Sequence, residues 1–292
     1  MKVSRCALFL ILLLPHLALA DDYTKAIETW RAERVARLTA ADSWLSLIGL
    51  PWLKLGDNTM GSAADNSLRL AAGPAHLGTV RLDAGDKIFL TLADGVDATI
   101  DGKKVPAAEL IFNARQPTLV RSGTVSFFVI QRGDKLGLRV RDSESPRRKN
   151  FLGLDYFPID PAWRIEAQWV PFAPPHQVPI TNILGQTSPE SVPGKAVFTH
   201  DGRTLELLPI DEGDGKLFFI ISDATSGDET YGAARFFYAD APKDGKVILD
   251  LNRAYSPPCA FTPFATCPLP PKENRLPFPV RAGEKKYRGE HH

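Results

Sequence analysis

The sequence predicts an all-β protein, a mainly antiparallel sandwich or barrel, with one N-terminal helix and an ordered proline-rich C-terminal loop. Three observations predict it. Eleven short runs rich in β-branched and aromatic residues follow one another between Trp44 and Leu251, the pattern of a sheet protein. Asp-Gly occurs five times, at Asp94-Gly95, Asp101-Gly102, Asp201-Gly202, Asp214-Gly215 and Asp244-Gly245, and a type I′ hairpin turn needs positive φ at both central residues. Prolines 257, 258, 263, 268, 270, 271, 277 and 279 then forbid helix and central strand alike.

In chain order, Lys2 and Arg5 precede the apolar run 7–14 and a stretch ending Ala18-Leu19-Ala20. Charge, apolar core and small-x-small cleavage site in that order are those of a secretory signal peptide, so residues 1–20 are expected to be removed and the protein to be periplasmic or secreted. Cys6 precedes the apolar core, which argues against a lipid-modified start. No segment approaches the ~20 apolar residues of a membrane-spanning helix. Residues 1–20 hold two of the 35 Lys and Arg and none of the 34 Asp and Glu. The remainder is close to neutral, which gives no warrant for nucleic acid as a partner.

Asp22 is placed to cap a helix over 23–38, with Tyr23, Ile27, Trp30 and Leu38 on one face. Arg34 interrupts that apolar stripe, so it must snorkel outward or find a carboxylate. Strands are expected at 79–82, 87–92, 98–100, 125–132, 136–141, 164–170, 196–199, 204–208, 217–222, 235–238 and 247–251. Phe157-Pro158 and Asp160-Pro161 break the pattern and suggest two regions, 21–156 and 157–292, which could equally share one core. In the proline-rich stretch Tyr255, Phe261, Phe264, Leu269, Leu276 and Phe278 supply apolar anchors, so it reads as a strap lying on the sheet. Cys259 and Cys267 in an oxidising compartment are expected to form a disulfide, ahead of a metal site or a free thiol.

Catalytic signatures are absent: no Gly-x-Ser-x-Gly, no His-Glu-x-x-His, no P-loop and no dinucleotide glycine motif. No cofactor or metal is expected, since His76, His176 and His200 lack partners at ligand spacing. The densest polar constellation is Asp223-Ala224-Thr225-Ser226-Gly227-Asp228-Glu229-Thr230-Tyr231-Gly232 with Arg235. Asp250, Asn252, Arg253 and Tyr255 follow, leading into Glu273-Asn274-Arg275. If these strand ends adjoin, Arg235 and Arg253 could grip an anion, with Asp223 or Asp250 orienting the guanidinium groups. Thr225, Asn252, Tyr255 and Asn274 would add directional bonds. The alternative is that the same residues are internal staples of an irregular strap. The run from Arg139 through Arg141 and Arg147-Arg148-Lys149 could bind an anion but reads better as a solvated strand end. Asp211-Glu212-Gly213-Asp214-Gly215 lacks calcium-loop spacing and reads as a hairpin turn.

These C-terminal motifs, with Pro257-Pro258-Cys259-Ala260-Phe261, Cys267-Pro268-Leu269-Pro270-Pro271 and Ala282-Gly283-Glu284-Lys285, resemble a bacterial family catalogued as domain of unknown function sixteen eighty-four. Trp30, Leu55-Gly56 and Phe157-Pro158-Ile159-Asp160 extend the resemblance, while Leu251 and Ser256 stand where its pattern has Phe and Asn. It implies an exported bacterial protein and supplies no mechanism. Residues 56–105 are also similar to the forkhead-associated β-sandwich. Ser62 after Gly61, and Gly73-Pro74-Ala75 before His76, depart from that family's phosphothreonine-binding pattern. The functional expectation is an exported module binding a small anionic or sugar-like ligand. The alternative is a hydrolase or lyase with Asp223 or Asp250 as general base and Arg235 stabilising the anion.

Overall fold

The computed structural model describes the backbone of residues 14–289 and side chains from Asp21 to Gly289. The charged start and most of the apolar core expected of an export signal lie outside the described residues. Helix α1 spans Leu14–Thr39. It begins well before Asp22, which is therefore an interior helix residue and not the expected cap. Ile27 and Leu38 bury its inner face, and Arg34 finds a carboxylate, Glu284, with Nε 2.9 Å from Oε1.

Ten strands follow: β1 (Leu47–Gly49), β2 (Gly56–Gly61), β3 (Leu68–Arg69), β4 (Gly78–Leu82), β5 (Ile88–Leu92), β6 (Thr99–Ile100), β7 (Ala107–Glu109), β8 (Val120–Ser122), β9 (Val125–Arg132) and β10 (Lys135–Asp142). They form two five-stranded sheets, ordered β1-β10-β9-β8-β6 and β3-β2-β4-β5-β7. Alternation places Val80, Ile88, Leu90, Val125, Phe127, Val129, Leu136, Leu138 and Val140 in one core between them. That leaves Arg139 and Arg141 on the opposite face of β10, cross-strand from Phe128 and Ser126. A short helix, α2 (Pro146–Lys149), comes next.

The second group is β11 (Arg164–Thr181), β12 (Thr187–His200), β13 (Arg203–Leu207), β14 (Ile210–Asp211), β15 (Lys216–Ile221), β16 (Arg235–Asp240) and β17 (Lys246–Asp250). Sheet β13-β12-β11-β17 faces sheet β14-β15-β16 across Ala167, Phe198, Phe219, Ile221, Phe237 and Leu249. The other face of β15 and β16 presents Phe218, Ile220 and Phe236 to a separate cluster with Ile180, Cys259 and Cys267.

All eleven expected strands are present, several of them longer than expected. β11 and β12 run on through Pro171, Pro174, Pro175, Pro179, Pro189 and Pro193. Residues 172–181 of β11 and 187–193 of β12 form a strand ladder only with each other. A two-stranded ribbon leaves outward N–H positions that proline can occupy without breaking a ladder. β2 was not expected from its polar sequence; it is held by Asn58, which is buried and whose amide donates to the carbonyls of Lys54, Gly56 and Val80. Three Asp-Gly pairs, 101-102, 201-202 and 244-245, have positive φ at both residues, as the turn type requires, whereas at 94-95 and 214-215 only the glycine does.

The strap is ordered. Cys259 and Cys267 are disulfide-bonded with Cα atoms 6.2 Å apart. Leu276 N–H donates to the Ser222 carbonyl at 2.8 Å, and Glu284 N–H to the Ala254 carbonyl at 2.8 Å. Gly283 takes φ +76°, and a Cβ there would overlap the Ala254 carbonyl oxygen. Glu284 Oε2 also accepts from Ser256 N–H at 2.8 Å. Breaking a buried ion pair by removing one partner typically costs about 3 to 5 kcal/mol. Glu284→Ala should lose stability of that order in equilibrium urea unfolding, and Arg34→Met combined with Glu284→Met should recover part of it. A loss under about 1 kcal/mol would show the pair to contribute no more than a surface bridge.

Candidate functional site

The eight residues proposed from sequence fall into two groups. Asp223, Thr225, Arg235, Asn252 and Asn274 are buried. Arg235, at the start of β16, donates to Asp223 Oδ2 at 2.7 Å, to the Val280 carbonyl at 2.8 Å and to the Ala282 carbonyl. Asp223 Oδ1 accepts from Thr225 N–H at 2.9 Å, Thr225 Oγ1–H at 2.6 Å and Val280 N–H at 3.1 Å. Both carboxylate oxygens are therefore engaged inside the protein. Burial alone would raise the Asp223 pKa; the Arg235 cation and these hydrogen bonds outweigh it and hold the carboxyl below its ordinary range.

Asn274 is an internal staple of the same kind. Its Oδ1 accepts from Leu208 N–H at 2.8 Å, and its amide donates to the Leu208 and Ile220 carbonyls, each at 2.9 Å. Asn252 brackets Asp160, accepting from its N–H at 3.1 Å and donating to its carbonyl at 2.8 Å, and donates to the Tyr23 hydroxyl at 2.9 Å.

Asp250, Arg253 and Tyr255 instead line a cleft of about 1450 Å³. Asp250 accepts from the Tyr23 hydroxyl at 2.8 Å and lies 3.4 Å from Arg253 Nε. The Tyr255 ring carries the Arg34 guanidinium at 4.6 Å. Burial pushes the Tyr255 hydroxyl up to about 12, against the Arg34 cation, which pulls it down.

The other wall of this cleft carries Trp44 and Arg132, which sequence reasoning did not single out, and Arg139, for which it weighed anion binding and preferred a solvated strand end. Arg139 is 8% exposed, not at a solvated strand end as expected. Its guanidinium lies 4.8 Å from the Trp44 ring centre and 5.9 Å from that of Phe128. Among the described residues it has no carboxylate and no hydrogen-bond acceptor, and its Nε is buried unpaired. Burial, followed by repulsion from Arg132 and Arg141, pulls its pKa down to about 10, so it remains a cation at neutral pH. Arg132 Nε donates to Thr266 Oγ1 at 2.8 Å, fixing this second arginine against the disulfide loop. The sequence signals for Arg139 were the basic run it opens and its alternation with Leu136, Leu138 and Val140; what packs over it is Trp44, far away in sequence.

The three internal histidines are not gathered into a site. His76 faces Asp65 at 3.7 Å, His176 stacks on Phe172, and His200 lies between Trp163 and Phe278. Among the described residues no group of three or more His, Cys, Asp or Glu is placed to hold a metal ion. No described helix is long and apolar enough to cross a membrane.

A carboxyl whose folded pKa lies below its unfolded value, about 3.9 for Asp, adds stability at neutral pH that is lost as pH falls through the folded value. Asp223→Asn should therefore be clearly less stable than wild type in urea at pH 7, and the gap should narrow below about pH 4. An equal gap at pH 7 and pH 3 would mean that the charge of Asp223 is not what stabilises this end of the sheet.

No curated protein matches the chain. Among solved structures, a similar chain is an uncharacterized protein of Haloarcula marismortui determined by NMR in solution, 30% identical, with 49% of this chain and 81% of that chain covered and a TM-score of 0.41. A family described as "Protein of unknown function (DUF1684)" matches residues 149–285, from the end of α2 through the strap. That match supports membership of this family for the C-terminal part of the chain.

Proposed function

We propose that the protein is an exported binding module for a small anionic ligand, held in the cleft by Arg139 with Arg132 beside it. One observation carries the reading: Arg139 is 8% exposed, charged, with its Nε buried and no acceptor among the described residues. A guanidinium presents five donors, and removing such a cation from water without a partner costs several kcal/mol. Arg235, buried more deeply still at 1% against 8% exposed, has a carboxylate and two carbonyls. The difference between the two favours a partner for Arg139 that comes from outside the chain, a carboxylate, phosphate or sulfate accepting paired hydrogen bonds.

This reading moves the anion site from Arg235 to Arg139 and keeps Arg253, Asp250 and Tyr255 as residues of the same cleft. The enzymatic alternative draws less support. Asp223 has no oxygen left for a substrate proton, and Asp250 already accepts from Tyr23.

Trp44 beside Arg139 offers a reporter. Titration with sulfate or acetate should change tryptophan fluorescence saturably, and Arg139→Gln should weaken that response about tenfold or more, the usual effect of losing a charge-assisted hydrogen bond. Without ligand, Arg139→Gln should be at least as stable as wild type, because it removes an unpaired buried charge. A variant that binds normally, or that unfolds at markedly lower urea, would assign Arg139 a structural role.

A further inference from the structure

The cleft is much larger than the anionic group its arginines would hold. Its volume, about 1450 Å³, exceeds the roughly 300–1,000 Å³ of pockets that enclose whole organic ligands. Its base is aromatic. Phe218, Phe236 and Tyr238 project from one face of β15 and β16 and line the cleft with Tyr255. Phe218 meets Phe236 edge-on at 5.0 Å and stacks on Tyr238 at 4.9 Å, while Phe236 meets Tyr255 edge-on at 5.9 Å.

These mutual contacts fix the rings as one platform. The Tyr238 hydroxyl donates to Glu212 at 2.7 Å, which pins the platform's outer ring. Facing it, Ala265, Thr266, Cys267 and Pro268 form the wall supplied by the disulfide loop, and that wall is what holds Arg132. Phe218 and Phe236 are 6% and 5% exposed, so the accessible part of this surface is Tyr238 and Tyr255 with the ring edges behind them; an inorganic oxyanion on Arg139 would leave it in contact with water, whereas a ligand with an apolar body would cover it.

Building on the anion-binding reading, we propose that the ligand is an organic acid with an apolar body at least the size of one ring. Its anionic group sits on Arg139 and Arg132, and its body lies on Phe218, Phe236 and Tyr238. Head group and body are then recognised by separate parts of one cleft, charge from β9 and β10 and apolar contact from β15 and β16.

Calorimetric titration of the full chain with acetate, inorganic phosphate, phenylacetate and benzyl alcohol separates the two layers of the argument. Phenylacetate should bind tighter than acetate by about tenfold to a hundredfold, the gain expected from burying a phenyl-sized group. Benzyl alcohol, which keeps the ring and lacks the charge, should bind at least tenfold more weakly than phenylacetate. In Tyr238→Ala, verified as folded by its melting curve, the ratio of phenylacetate to acetate affinity should fall while acetate binding stays as in wild type. Acetate or phosphate binding as tightly as phenylacetate would overturn the apolar body and leave the anion site standing. Failure of acetate, phosphate and phenylacetate alike would overturn both. Benzyl alcohol binding as tightly as phenylacetate, and equally well in Arg139→Gln, would overturn the anion site.

Discussion

A buried ion pair between the first helix and the end of the strap organises the molecule. Arg34 meets Glu284 with side chains 11% and 0% exposed, donates to the Ser256 carbonyl at 2.9 Å, and lies over the rings of Tyr255 and Phe261. Glu284 reaches back to the Ser256 N–H. Three segments remote in sequence are thus joined by two charges, neither of which could be left alone away from water at small cost. The helix and the strap therefore order together. Trp30 on the same helix packs on Tyr255 at 6.4 Å, and Trp44, just beyond it, lies beneath Arg139. The position of the helix consequently sets two sides of the cleft.

Arg235 and Arg139 show how one residue type serves opposite purposes. Each lies on a strand with an apolar residue on either side, each is withdrawn from solvent, and each points away from the core that its neighbours build. Around Arg235 the strap brings two carbonyls and Asp223 brings a carboxylate, so a guanidinium that would otherwise destabilise the fold becomes its internal fastening. Around Arg139 the neighbours are the faces of Trp44 and Phe128 and two further arginines. Cation–π contact of this kind contributes about 1 to 2 kcal/mol, less than desolvation takes away. On the proposed reading, the remaining deficit is met by an acceptor from outside the described residues.

Those parts of the fold written in local chemistry were readable. Alternation in 125–132 and 136–141, closed by a two-residue turn, defines its hairpin without help from the rest of the chain, and so does the turn at Asp201-Gly202. Arg34 on an apolar helix face signalled either an outward-snorkelling side chain or a carboxylate partner, and the carboxylate of Glu284 is what it meets. The ribbon of β11 and β12 was hidden because prolines count against a strand unless its edges are known to be free. The start of the helix was hidden because an Asp inside a helix looks the same in sequence as an Asp capping one. At the site, composition revealed which residues were polar and close along the chain, and most of those are used up in holding the strap. Arg139 was read as solvated because alternation gives a side chain's face, while burial of that face depends on what packs over it.

A cleft lined by so many rings stays open only if its walls are held apart. The disulfide loop is tied to the ribbon by Ile183 N–H on the Cys267 carbonyl at 3.0 Å and Leu269 N–H on the Thr181 carbonyl at 2.8 Å. The ribbon tip in turn reaches the β9–β10 turn through Gln186, whose amide donates to the Arg132 carbonyl at 3.3 Å. These bonds fix the frame, and Arg132 and Arg141 share one face of one hairpin with Arg139, where each adds to the cost of holding Arg139 charged away from water. An anion reverses the sign of that interaction. The repulsion among these arginines is therefore the electrostatic term that an anionic ligand, on the proposed reading, would neutralise.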